Sequence, residues 1–97
     1  MNPSHVFKAL GDEKRLAMLL SIASHNDICA CHLIDKFGVS QSTLSHHLAI
    51  LADANLVTTR KEGKWIHYTL NRDTLQELEN TLDTLVHIDG EKPKDCC

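Results

Sequence analysis

The sequence predicts a mainly α-helical domain completed by a β-hairpin wing, a winged helix-turn-helix, on three observations. Two short helical segments are joined by Phe37-Gly38-Val39, the second of them exposes small polar groups, and a hairpin with a basic tip follows it. At 97 residues the chain is expected to form one domain over residues 1–90, with residues 91–97 a short tail ending in Cys96-Cys97.

Val6, Phe7 and Leu10 give a first short apolar helix that ends near Gly11. Asp12 caps the next, with Glu13 in its first turn, and Leu16, Leu19, Leu20 and Ala23 are expected on one face. Asp27 is the expected cap of a third helix, whose Ala30, Leu33, Ile34 and Phe37 point one way before Gly38 stops it. Ser40 caps a fourth. There Leu44, Leu48 and Leu51 recur at i, i+4 and i+7 and leave Gln41, Ser42, Ser45 and His46 on the opposite face. From Leu56 the period changes: the β-branched and aromatic runs LVTTR and WIHYTL flank the turn KEGK and read as a hairpin. In the last helix Leu75, Leu78, Leu82 and Leu85 form a narrow apolar stripe on an otherwise polar rod, suited to packing on its own domain or on a second copy.

A helix that reads DNA must bring short hydrogen-bonding side chains to base edges while nearby cations hold phosphates. Gln41, Ser42, Ser45 and His46 suit the first task, and Arg60, Lys61 and Lys64 the second. The net charge of −3 argues against such a partner only until its distribution is considered. Residues 1–70 hold seven Lys/Arg against six Asp/Glu, and residues 71–97 hold three against seven. The acidity is segregated at the C-terminal end, away from the helix-turn-helix and the wing. The opening Met-Asn-Pro-Ser-His lacks the basic start and apolar run of a signal peptide, no apolar stretch is long enough to cross a bilayer, and the chain reads as cytoplasmic.

In a reducing compartment the four cysteines point to metal binding or redox chemistry, not to structural disulfides. Cys29 and Cys31 are expected to be too close for an unstrained bridge. With Asp27 as cap, Cys29 would fall in the first helical turn, where the helix dipole favours a thiolate, and the two thiols would lie on opposite flanks, each about 100° from the core direction. On that geometry they converge only if the turn is distorted.

Three segments in register resemble the ArsR/SmtB family of metal-responsive repressors over roughly residues 5–88: KALGDEKRLAMLL its opening helix signature, SQSTLSHHLAIL its recognition helix, and LVTTRKEGKWIHYTL its wing. The resemblance implies a homodimer that binds palindromic double-stranded operator DNA and leaves it when an inducer binds. It also implies a dimer surface made by Val6, Phe7 and Leu10 with Leu75, Leu78, Leu82 and Leu85. Arsenic-sensing members carry Cys-x-Cys-x-x-Cys before the recognition helix. CACHLI matches the first two thiols at Cys29 and Cys31, and Ile34 stands at the third position. The implied inducer is trivalent arsenic or antimony, a soft centre taking three ligands, with Cys96 or Cys97 a possible third. No resident cofactor is implied. The zinc pattern of the family's last helix is broken, since Leu75 stands where a histidine is expected and His87 faces Gly90.

Two other readings compete with the metalloid-released repressor. One keeps the fold and makes the cysteines a redox or reactive-sulfur switch. The other is a thiol oxidoreductase using Cys31 with His32, disfavoured because neighbouring side chains on a helix diverge and because the chain contains no Cys-x-x-Cys.

Overall fold

In the computed structural model, residues 2–91 are described, and the expectations placed on Cys96 and Cys97 lie outside them. The elements run α1 (Pro3–Leu10), α2 (Glu13–Ala23), β1 (Ile28–Cys29), α3 (Ala30–Phe37), α4 (Gln41–Asp53), β2 (Val57–Glu62), β3 (Trp65–Leu70) and α5 (Arg72–His87). The winged helix-turn-helix expected from the sequence is present, with a third strand added to the wing in the order β1-β3-β2, all antiparallel.

Local chemistry fixes most boundaries. Asn2 caps α1 and Pro3 opens it, a position where a missing N–H costs nothing. The Asp12 carboxylate accepts the Arg15 backbone N–H at 3.0 Å, and this hydrogen bond holds its pKa below the ordinary value. Ser40 Oγ accepts the Thr43 N–H at 3.1 Å and starts α4. Between α3 and α4, Gly38 takes a left-handed conformation at φ 61°, which lets the chain turn sharply into the next helix.

The third helix departs from expectation. Asp27 does not cap it: Asp27 is left-handed at φ 60°, and the cap is Cys29, in extended conformation. The chain stays extended through Ile28 and Cys29 because these two residues pair with Tyr68 and His67 of β3, and the Ile28 side chain is buried in the core. The helix can begin only after that pairing ends.

The core gathers Met18 and Ile22 of α2, Leu33 of α3, Leu44, Leu48 and Leu51 of α4, and Leu56, all almost fully buried. Each contributes on the order of 1.5–3 kcal/mol by leaving water. The α2 face is rotated from the one expected. Met18, Leu19 and Ile22 are buried whereas Leu16 and Leu20 are 43% and 62% exposed, because α2 must face α1, α4 and β3 together. Arg15 ties three helices. Its Nε donates to the Ala9 carbonyl at 2.8 Å at the end of α1, and Nη1 lies 3.5 Å from His47 Nδ1 on α4.

The stripe assigned to a dimer surface divides. Val6 and Leu78 are buried in the chain's own core, and Leu10 and Leu75 pack against it, because α5 crosses α1 with its N-terminal half. Phe7, Leu82 and Leu85 stay exposed at 42%, 44% and 64%, joined by Val86 and Ile88, which the spacing argument omitted.

Substituting Gly38→Ala is expected to lower the free energy of urea unfolding by about 1 kcal/mol, since a Cβ in the left-handed region is strained even where space is open. Gly90→Ala, at a glycine without positive φ, serves as the unaffected control.

Candidate nucleic-acid interface and dithiol site

The buried leucines of α4 orient its other face. With Leu44, Leu48 and Leu51 inward, Gln41, Ser42, Ser45 and His46 are all exposed, as expected. His47, one residue on, turns back toward Arg15 and is half-buried, so it belongs to the packing and not to the presented surface. The hairpin stands beside this helix. Between them lies a small groove of about 60 Å³, lined by Gln41, Ser45, Lys64, Trp65 and Ala30 among others. The groove therefore joins the recognition face, the wing tip and the residue between the two cysteines.

The three cations assigned to phosphate differ in their surroundings. Lys61 and Lys64 are exposed, and the Lys64 ammonium sits 5.9 Å from the Trp65 ring centroid. Arg60 is already engaged. Its Nη2 pairs with Asp27 Oδ2 and its Nη1 with Glu62 Oε2 at 2.8 Å, and the hydrogen bonds to Asp27 and then Glu62 raise its pKa further. The Asp27 partner comes from 33 residues upstream across the sheet, beyond the reach of any local pattern.

The cysteine pair is arranged differently from the helical expectation. Cys29 is the extended cap of α3, and its Sγ accepts the Cys31 backbone N–H at 3.2 Å, as a serine oxygen does at an ordinary cap. That geometry folds the Cys29 side chain over the helix start. The two sulfurs come together at one point, with the Cα atoms 5.2 Å apart. The prediction that the thiols diverge assumed both residues were helical; with Cys29 in β1, they converge while α3 remains regular. Cys29 is buried and Cys31 half-buried. Among the described residues no group of three His, Cys, Asp or Glu side chains surrounds a common point.

The register connects this pair to the wing. Cys29 lies opposite His67, and His67 lies opposite Arg60, so the three form one row across β1, β3 and β2. Side chains of directly paired residues share a face of the sheet. His67 is surrounded on that face: its Nδ1 is 3.4 Å from the Asp27 carbonyl oxygen and its Nε2 is 3.6 Å from Glu62 Oε2. These neighbours of His67 come together only when β1 joins the sheet, so no local stretch of sequence around it announces them.

A helix-turn-helix with a polar reading face, an adjacent basic wing and a dithiol behind them defines a DNA-binding transcriptional regulator. Residues 12–59 match the family described as bacterial regulatory protein, arsR family. The chain is 41% identical over 92 residues to the arsenical resistance operon repressor of Bacillus subtilis (strain 168), covering 94% of this chain and 86% of that one. It is 43% identical over 82 residues to the protein of the same name from Staphylococcus xylosus, covering 84% and 78%. The ArsR-like transcriptional regulator from Rhodococcus sp. RHA1 superposes with a TM-score of 0.76 at 30% identity, over 87% of this chain and 78% of that one. The chain belongs to the ArsR family of transcriptional regulators. These relatives are regulators and not enzymes, which removes the oxidoreductase reading. Among the described residues no helix is long and apolar enough to cross a membrane.

The different surroundings of the cations lead to different outcomes on substitution. Lys61→Ala is expected to weaken binding to all DNA sequences alike and to reduce the slope of log affinity against log salt by about one. Arg60→Ala, removing a guanidinium already neutralised by two carboxylates, is expected to change that slope by less than half as much. Fluorescence anisotropy of labelled duplexes at several salt concentrations makes the comparison.

Proposed function

We propose that this regulator is a cytoplasmic repressor that binds operator DNA as a homodimer and is released by trivalent arsenic or antimony bound to Cys29 and Cys31. The observation that carries the reading is the convergence of the two sulfurs at the start of α3, beside both DNA-facing elements. The names of the relatives point the same way.

In this reading Gln41, Ser42, Ser45 and His46 enter the major groove and Lys61 and Lys64 hold flanking phosphates. Phe7, Leu82 and Leu85 make the contact between copies. The two cysteines act as a dithiol. Arsenous acid exchanges two of its hydroxyls for two thiols: each As–S bond forms as an As–O bond breaks, and each departing hydroxide leaves as water with the thiol proton. Arsenic keeps its oxidation state. The third position stays with a hydroxyl or a small thiol, or is taken by Cys96 or Cys97. DNA and inducer then favour different arrangements of one protein, and each lowers the affinity for the other by the same factor.

One observation favours a second reading. The same closeness of Cys29 and Cys31 suits a redox or reactive-sulfur switch at this pair. Release of DNA by arsenite under strictly reducing conditions separates the two.

Cys29→Ser and Cys31→Ser are each expected to keep operator binding and lose release by arsenite, followed as anisotropy of an operator-bearing duplex. Normal release from the double variant would refute the metalloid site. For assembly, the exposed half of α5 is expected to hold a dimer at micromolar concentration with or without arsenite, and Leu82→Glu/Leu85→Glu to shift it toward monomer in sedimentation velocity.

A further inference from the structure

The pair of Arg60 with Asp27 is unused by the function just proposed. Asp27 precedes β1 and lies two residues before Cys29, and Arg60 is on β2, the far strand of the sheet. The salt bridge therefore reaches over β3 and encloses the His67 ring, which sits between Asp27 and Glu62. Backbone pairing of β1 with β3 covers only Ile28 and Cys29. A strand of two residues resists displacement weakly. Pulled by its cysteine, it would peel from β3 and absorb the movement within the loop, leaving the wing in place.

We infer that Arg60 and Asp27 form a tether that makes the wing follow the dithiol, so that Arg60 positions the wing for inducer-driven release and does not hold phosphate. This rests on the reading of Cys29 and Cys31 as the inducer site. Three observations converge on it. Cys29, His67 and Arg60 occupy one row of the sheet. The chain takes a left-handed turn at Asp27 that presents its carboxylate to Arg60. Arg60 is further oriented by Glu62 on its own strand, which keeps the guanidinium over the sheet. A bond from one centre to both sulfurs fixes the Cys29 side chain with respect to α3. The strand must then move with α3, and the tether passes that movement across β3 to β2 and the hairpin tip carrying Lys61 and Lys64.

The pair is about half-exposed, so its loss should alter coupling without unfolding the domain. Asp27→Asn is the informative variant, because asparagine also tolerates the left-handed conformation while removing the charge. Arg60→Gln removes the other partner, and Arg60→Lys keeps a cation there. With a duplex selected from a random pool by the wild-type protein, DNA affinity is measured by anisotropy with and without arsenite. Arsenite binding is followed separately, as protection of Cys29 and Cys31 from a chromogenic disulfide reagent in a background of Cys96→Ser/Cys97→Ser.

Arsenite is expected to protect the two thiols in every variant as in wild type. The ratio of DNA affinities without and with arsenite is expected to fall about three- to fivefold in Asp27→Asn and Arg60→Gln, the scale of an exposed ion pair, to fall no further when both are combined, and to stay within about twofold of wild type in Arg60→Lys. A wild-type ratio in Asp27→Asn overturns the tether, as does a loss in Arg60→Lys equal to that in Arg60→Gln. Should wild type bind arsenite and keep its DNA, the repressor reading fails and takes the tether with it.

Discussion

The pairing of Ile28 and Cys29 with β3 is the contact on which the rest of this structure depends. It is only two residues long, yet it decides three things at once. It delays the start of α3 to Ala30, converts Cys29 from a helical residue into an extended cap, and attaches the segment between α2 and α3 to the wing. Without it the thiols would diverge around a helix and the hairpin would be a two-stranded appendage. With it, a dithiol, a reading helix and a basic strand pair become neighbours across a groove of about 60 Å³.

The α4 surface shows how little sequence is needed once a core is in place. Three leucines at helical spacing hold the helix inward, and every residue left outside is short or polar. The wing differs, because its cations are sorted by their neighbours: among the described residues two pair with no carboxylate, and a third is taken up internally by carboxylates. Counting basic residues would treat all three alike. Only the cross-strand register tells them apart.

What could be read from the sequence was whatever is decided locally. Asp12, Ser40 and Gly38 announce their caps because each acts within three or four residues, and the leucines of α4 state their own period. The hairpin follows from two β-branched runs around Glu62-Gly63. By contrast β1 depends on Tyr68 and His67, far along the chain, and no window around Cys29 contains that information. Asp27 misleads for a physical reason, since aspartate is favoured both as a helix cap and in left-handed turns, and tertiary pairing chose the second. The rotation of α2 is similar: Leu16 and Leu20 are as apolar as Leu19, and only the positions of α1, α4 and β3 decide which are covered. Which leucines of α5 are covered was only half legible, because the same spacing serves the chain's own core at Leu78 and open surface at Leu85.

The sulfur of Cys29 serves as a helix cap as well as a member of the dithiol, and this double duty has a consequence for how such a regulator changes over generations. Serine is among the strongest caps, so replacing Cys29 by serine strengthens the fold's own requirement at that position while removing the thiol. A single base change separates the two codons. In the function proposed above, such a change would end sensing while leaving the cap in place, so the altered protein would keep its reading face and stay on DNA. On that proposal only the presence of the inducer in the environment maintains a cysteine there, whereas Gly38 and the α4 leucines are maintained by folding in every environment.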